Sequence, residues 1–478
     1  MAMQHTPLVM SRLIDRGATV APDVEVVTAT QGGPRRQSLA QTRDRAHQLA
    51  HALYDYGIRP GDRIGTFMWN GSRHLEAYHA AAGMGAVLHT INLRLSPDDL
   101  AYIIGHAQDR LIIADADTLP ILESLKGRLP SVELVVVAVE EGFEDWTTGV
   151  APAADVVPMF HAMGWGVPWS ALMLGCKQVL PHRFMDPERL VELMAREKVS
   201  LSAAVPTIWQ GVKAVIEANP DAYDLSSLSR LTCGGSAPPK SLIRWYHDAL
   251  GVEMIQGWGL TETSPLATLS RRLMKHKHPS LSLDEQLENV GKAGQLMPGL
   301  EVGIFDEDFN RLPHDGETVG EILIRGPWIC SAYYEDPRPE RFHGDWLITG
   351  DVGTIDPEEY LIIADRSKDL VKSGGEWISS VDLENHIVAL DGIAQACVVA
   401  QPHPKWDERP VALIVLTDGA EVSPDAILEH CTGRFAKWQL PDDVLFVDSV
   451  PLTSTGKMDK KVVRADLAGK GYVLPDLR

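Results

Sequence analysis

Cysteine is scarce. Five residues, Cys176, Cys233, Cys330, Cys397 and Cys431, are scattered through 478, with no Cys-x-x-Cys pair. That spacing excludes a disulfide framework and a thiolate zinc cage, and it suits a reducing, cytoplasmic setting. Positive charge is also short: 44 Lys and Arg face 65 Asp and Glu, for a formal net charge of −21. Such a balance argues against a nucleic-acid surface and against a polybasic membrane patch. Any anion must therefore be held by a local cluster. Long apolar runs are missing as well. The stretch around Val135 to Val139 is strand-length and too short to cross a bilayer, which speaks against stable membrane insertion. The first twenty residues, broken by Arg12, Asp15 and Arg16, do not read as a secretory signal. No repeat or low-complexity tract stands out.

What is present is a 45% hydrophobic chain, too long for one core and suited to two or more domains. Helical and strand periods alternate from Gln37 onward: a helix over 37–56 stopping at Gly57, a strand over 63–69, a helix over 72–84, and buried strands over 111–114 and 134–139. Strand, helix, strand, helix then follow at 178–180, 187–197, 201–205 and 206–218. This alternation predicts an α/β fold whose large N-terminal domain holds parallel sheets flanked by helices. Past Gly291, short strands at 302–305, 320–325, 346–348 and 360–364 with turn residues between them predict a β-rich subdomain. After Arg366 a compact α/β pattern predicts a small C-terminal domain, giving domains of residues 1–365 and 366–478.

Five clusters carry chemistry. An apolar strand runs into Gly234, Gly235, Ser236 and Ala237, which puts bare backbone at a sheet edge where a flat or anionic ligand can approach. A second strand runs into Gln256, Gly257, Trp258, Gly259, Thr261, Glu262 and Pro265. Hydroxyls beside a carboxylate can hold phosphate oxygens and a divalent cation together. A third ends in Thr349, Gly350 and Asp351, a carboxylate placed to accept ribose hydroxyls. The fourth couples a charged stretch, Arg366 and Lys368, to the Gly374, Gly375, Glu376 and Trp377 turn, where two glycines permit a sharp backbone excursion. The last presents Lys457 on a Thr/Ser/Gly loop, a cation able to offset developing negative charge. Singly, each reads equally well as a turn or a solvated surface.

Together and in this order, the five clusters resemble the adenylate-forming superfamily of acyl-CoA synthetases, luciferases and peptide-synthetase adenylation domains, and most closely its fatty acyl-CoA synthetases and methylmercaptopropionate-CoA ligases. Val157 to Trp165, with His161, resembles the gate motif of that group, and Lys372 to Glu384 its hinge-side signature. The resemblance implies a two-step ligase using ATP, Mg²⁺ and coenzyme A. A carboxylic acid, a fatty acid or a short thioether acid, is adenylated with release of pyrophosphate and then passed to the thiol.

On that resemblance Lys457 supplies the cation for adenylation, Thr261 holds phosphate oxygens and Glu262 holds the metal. Gly234, Gly235, Ser236, Ala237, Gln256, Gly257, Trp258 and Gly259 form the nucleotide slot, and Asp351 and Arg366 take the ribose. His161 lies near the substrate carboxylate, Trp165 gates an acyl tunnel, and Gly235, Gly259 and Pro265 complete the substrate side. Lys368 is the hinge, whose rotation makes the C-terminal domain mobile and brings Gly374, Gly375, Glu376 and Trp377 to the coenzyme A side. Relatives of this kind are often homodimers.

One departure stands against the resemblance. A Ser/Thr/Gly-rich phosphate loop with a lysine is expected before the gate, yet the residues from Trp146 to Val157 offer only Thr147, Thr148 and Gly149 and no lysine. Losing a sheet strand along with the loop would uncover core surface at a cost. The gap near 146–157 is therefore read as a loop left out of the recorded chain. A real loss would leave a non-catalytic acyl or nucleotide binder.

Overall fold

The computed structural model describes residues 9–138, 157–275, 278–336, 338–374, 376–417, 419–453 and 458–475. The segment in which the phosphate loop is sought lies almost wholly outside them. The chain divides into two compact units, Met1–Ser200 with Gln210–Leu228, and Leu201–Trp209 with Ser229–Arg478.

In the first unit four strands form a parallel sheet in the order Val87–Thr90, Arg63–Phe67, Leu111–Asp115, Leu134–Ala138. Every residue of Leu111–Asp115 is buried, as a strand covered on both faces must be. The helix Leu39–Tyr56 starts two residues after its expected position. Ser38 and Gln41 form a capping box there, and Gly57 ends the helix at φ 117°, a left-handed value that glycine adopts without steric cost. A smaller sheet joins Arg35–Ser38, Glu25–Thr28 and Gln178–Leu180. The helix Ser11–Val20 has no counterpart among the expected elements. Its buried Ile14, Gly17 and Ala18 repeat at helical spacing between the same charged residues that speak against a secretory signal.

Among the described residues the second unit holds three sheets. The first runs in the order Gln295–Leu296, Leu266–Ser270, Glu253–Gly259, Arg230–Gly234, Leu201–Ala204, the last three strands parallel. The second is the antiparallel sheet of Glu301–Phe305, Gly320–Arg325, Trp346–Ile355 and Leu361–Arg366, edged by Phe342–His343. It is the β-rich layer expected past Gly291. The third contains Val371–Ser373, Glu376–Ile378, the long hairpin Ile393–His403 and Asp407–Leu416, and Asp443–Phe446.

Val371, Ile378, Leu383, Ile387, Val398, Ile414 and Ile427 form the core of that third layer, each almost fully buried. Each contributes about 1.5–3 kcal/mol by leaving water. A buried polar chain crosses the stretch on which Arg366 and Lys368 lie. Ser379 Oγ donates to the Ala364 carbonyl, and the Ser380 amide donates to Asp365 Oδ2 at 2.8 Å. Lys460 Nζ lies 2.8 Å from Glu384 Oε1. Burial raises the Glu384 carboxyl and on its own would lower Lys460. The charges of Glu384 and Asp365 hold the ammonium's pKa above its ordinary value.

Candidate active site

The parallel strands Arg230–Gly234 and Glu253–Gly259 are registered so that Gly234 stands opposite Gly257. Their carboxyl ends share one sheet edge, the usual ligand edge of open α/β sheets. Gly235 turns the chain at φ 84°, and Gly235 and Ser236 are exposed there, with Ala237 half-buried. Gly259 is sterically required. A Cβ at that position would lie 1.8 Å from the Pro265 carbonyl oxygen and 2.8 Å from Thr263 Oγ1. Gln256 is buried, and with its amide nitrogen facing the Val290, Gly291 and Lys292 carbonyls it donates to them. Its backbone is paired with Cys233 on one side and Ser270 on the other.

Three residues taken from three separate clusters meet. Asp351 and Arg366 are paired across neighbouring strands, with Arg366 Nε 3.1 Å from Asp351 Oδ1. Trp258 Nε1 donates to Asp351 Oδ2 at 2.8 Å. Asp351 is only 4% exposed, so its charge is held by this cation and this N–H rather than by water.

Thr261–Thr263 is a single 3₁₀ turn. Thr263 Oγ1 accepts from the Leu260 amide at 2.8 Å and donates to the Pro265 carbonyl, which fixes the turn and leaves Thr261 exposed. Glu262 is held from outside the motif: the Tyr333 hydroxyl donates to its Oε1 at 2.8 Å, and the Cys330 amide to its carbonyl at 2.9 Å. Burial raises the pKa of the Tyr333 hydroxyl, and its bond to Glu262 raises it further. Among the described residues no group of three His, Cys, Asp or Glu could cage a metal. One carboxylate with neighbouring hydroxyls fits Mg²⁺ held largely by substrate phosphates and water. Tyr333 escapes sequence reasoning, because it lies 71 residues from Glu262 in a stretch without a recognisable pattern.

In the first unit, the stretch before His161 is pinned by side chains. Asn70 Oδ1 accepts from the Met159 amide at 2.6 Å, and its Nδ2 donates to the Val157 carbonyl at 3.1 Å. Tyr78 donates to the Met159 carbonyl and Thr90 to that of Phe160. From this anchored base the chain enters a left-handed turn, with φ of 44° at Ala162, 53° at Met163 and 53° at Trp165. Side-chain-bearing residues adopt that conformation at a cost of roughly 1–2 kcal/mol each. Such strain persists only where the surroundings impose it. His161 caps the turn and Trp165 closes it, both half-buried.

On the hinge side, Lys368 is exposed. Gly374 sits at φ 63° against the Trp406 ring, and its amide donates to the Trp406 carbonyl at 2.7 Å. Trp377 is 42% exposed with Lys372 Nζ 5.2 Å from its ring centre. Gly375 and Lys457 lie outside the described residues, and Glu376 enters only as backbone of Glu376–Ile378.

Glycine-bearing strand ends, a turn with hydroxyls and one carboxylate, and an acid held by an indole and a guanidinium thus lie on neighbouring elements of the second unit. The chain matches the AMP-binding enzyme family over residues 14–156 and 151–334, and the AMP-binding enzyme C-terminal domain over residues 382–457. It belongs to the AMP-binding enzyme family. Among its relatives are a 3-methylmercaptopropionyl-CoA ligase of Ruegeria lacuscaerulensis, 38% identical over 97% of this chain and 98% of the relative, and a long-chain-fatty-acid–CoA ligase of Thermus thermophilus, 38% identical over 94% of each. A medium-chain-fatty-acid–CoA ligase of Ectopseudomonas oleovorans is 35% identical over 97% of this chain and 96% of its own length.

The crystal structure of an anthranilate CoA ligase in complex with anthranoyl-AMP shares the fold, with a TM-score of 0.84 at 23% identity over 98% of this chain and 100% of its own. The two matches to the first family meet at residues 151–156. The aligned span with the Ruegeria ligase, 530 positions, exceeds the 478 residues of this chain. That relative therefore carries positions with no counterpart here.

Proposed function

We propose that this protein is an ATP-dependent, AMP-forming acid–CoA ligase whose substrate is a fatty acid or a short thioether acid. The observation that carries the reading is the meeting of Trp258, Asp351 and Arg366. It joins three clusters far apart in sequence at the place where a nucleoside would be gripped. Relatives that are ligases along their whole length support this reading over that of a non-catalytic binder.

In the first step a carboxylate oxygen attacks the α-phosphorus of ATP and the bond to pyrophosphate breaks. In the second, the coenzyme A thiolate attacks the acyl carbonyl and AMP leaves with the C–O bond electrons. Two anions must approach each other in the first step, so cationic and N–H groups dominate its energetics. Asp351 takes the ribose hydroxyls, with Arg366 and Trp258 holding it in place. Gly234, Gly235, Ser236, Ala237, Gly257 and Gly259 leave room for the adenine and the substrate carboxylate. Thr261 donates to phosphate oxygens. Glu262 is the residue that would hold Mg²⁺, which supplies neutralisation of phosphate charge when bound. Lys457 brings the second cation. His161 orients the acid, and Trp165, with Pro265, shapes its entry.

Residues 1–365 and 366–478 act as two domains that turn about Lys368, withdrawing Lys457 and bringing the Gly374–Gly375 turn, Glu376 and Trp377 to the coenzyme A side. We place the enzyme in the cytoplasm as a homodimer.

The test is acid-dependent exchange of pyrophosphate into ATP, followed by thioester formation on adding coenzyme A. Exchange with an aliphatic or thioether acid is expected, and its absence for every such acid overturns the proposal. Lys457→Ala is expected to lose exchange while still converting supplied acyl-adenylate. Lys368→Pro should do the reverse.

A further inference from the structure

Arg341 lies between the two turns that the proposed mechanism assigns to metal and ribose. It closes the short helix Pro339–Arg341, and its Nη1 is 3.6 Å from where a Gly350 Cβ would stand, next to Asp351. On its other side it neighbours the Tyr333 hydroxyl that donates to Glu262 Oε1. Glu321, on the strand beside that of Asp351, has its carboxyl raised by burial, against the Arg341 charge. Among the described residues Arg341 takes part in no ion pair.

A nucleotide gripped through its ribose at Asp351, with its metal at Glu262, must carry its phosphates along the path between those turns. A guanidinium on that path matches phosphate geometry with several fixed N–H donors. We propose that Arg341 is a phosphate-binding residue of this site, supplying from the β-rich layer a cation for the nucleotide's phosphates, with Tyr333 positioning Glu262 beside it. The proposal rests on the ligase reading, in that it takes the nucleotide to lie between Asp351 and Glu262.

Calorimetric titration of adenosine, AMP and ATP, the last with and without Mg²⁺, tests it on wild type, Arg341→Ala and Arg341→Lys. For Arg341→Ala, affinity for AMP and ATP should fall about tenfold or more, the effect of removing a charged hydrogen-bond donor. Adenosine affinity should stay within about twofold. Arg341→Lys should recover part of the loss, since it restores charge without the planar fork. Tyr333→Phe should leave AMP binding unchanged and weaken only the Mg²⁺-dependent gain for ATP. Unchanged ATP affinity in Arg341→Ala, or an equal loss for adenosine, overturns the proposal. If Arg341→Ala fails to fold, Arg341→Lys decides by the same comparison. A wild type that binds AMP and ATP but catalyses no exchange counts against the ligase reading alone. A wild type that binds neither nucleotide overturns both.

Discussion

Each unit contains a sheet with parallel strands, and the two treat their carboxyl edges in opposite ways. In the first unit the end of Arg63–Phe67 is closed by side chains. Asp115 accepts from the Trp69 amide at 2.7 Å, Asn70 clasps the Val157–Met159 backbone, and His74 bridges the Trp69 carbonyl and Thr66 Oγ1 at 3.0 Å each. In the second unit the ends of Arg230–Gly234 and Glu253–Gly259 carry Gly234, Gly235, Gly257 and Gly259, of which Gly235 is exposed and Gly259 lies against the Pro265 backbone. One edge uses polar groups to finish the fold. The other carries glycines in their place, at the edge where we propose that the ligand binds. Polar residues at a strand end are thus no sign of a site by themselves, since their partners decide what they do.

The contrast breaks most visibly at Gly259. The Cβ of Gly259→Ala meets backbone at 1.8 Å, which cannot yield without moving the Thr261–Glu262 turn. A loss of about a hundredfold or more in pyrophosphate exchange is expected, with global stability much less affected, because the turn lies at an edge. Exchange near the wild-type level would show that the Thr261–Glu262 turn can be displaced without loss and is no part of the site.

Asn70→Ala makes the matching cut in the closed edge. Two buried backbone groups lose their partner, at about 1–3 kcal/mol each. A loss of unfolding free energy of that order is expected in a denaturant titration, and an unchanged value would mean that the clasp does not hold the stretch before His161. Acid gives a third cut. His74 is fully buried with one nitrogen donating and one accepting, so burial lowers its pKa from 6.5 to about 4 even with Asp115 near. His79, equally enclosed, falls to about 3. Both are neutral in the fold and take up protons in the unfolded chain below pH 6.5. Their stabilisation is therefore complete above that pH and drains away as pH falls toward 4, by about 3 kcal/mol for His74. His74→Gln should flatten this slope in a pH series of melts, and an unchanged slope would remove His74 as its source.

Legibility from sequence followed the range of the contacts. The helix Pro206–Ala218 and the strands Gln178–Leu180 and Gly320–Arg325 appear with the expected bounds, because local period alone defines them. The hairpin Ile393–His403 with Asp407–Leu416 runs beyond its apolar runs, since pairing continues through polar Gln401, His403 and Glu408. Leu266–Ser270 follows directly on Pro265 and is too short for its period to show. The helix Lys460–Gly469, capped by Asp459, buries only Val463 and Leu467, too short an apolar stripe to stand out beside the lysine loop before it. In the site, motif residues such as Trp258 and Asp351 were legible as clusters, whereas their mutual bond was not. Tyr333, Arg341 and Asn70 stayed invisible because each matters through a partner brought near only by the fold. Gln256 illustrates the converse: it stands within a motif, yet its side chain serves the Val290–Lys292 carbonyls.

The smallest expected effect separates glycines that serve the open edge from those that merely occur. Gly105 lies inside the helix Pro97–Ala107 of the first unit, at negative φ and with nothing within 4 Å of an added Cβ. Gly105→Ala fills no space that anything uses and removes backbone freedom from the unfolded chain. It should raise stability by about 0.4–1 kcal/mol and leave exchange unchanged. A loss of activity there, measured beside Gly259→Ala, would mean that glycine content rather than glycine placement distinguishes the two units. The steric distances, 1.8 Å against open space, predict the opposite order for the two substitutions.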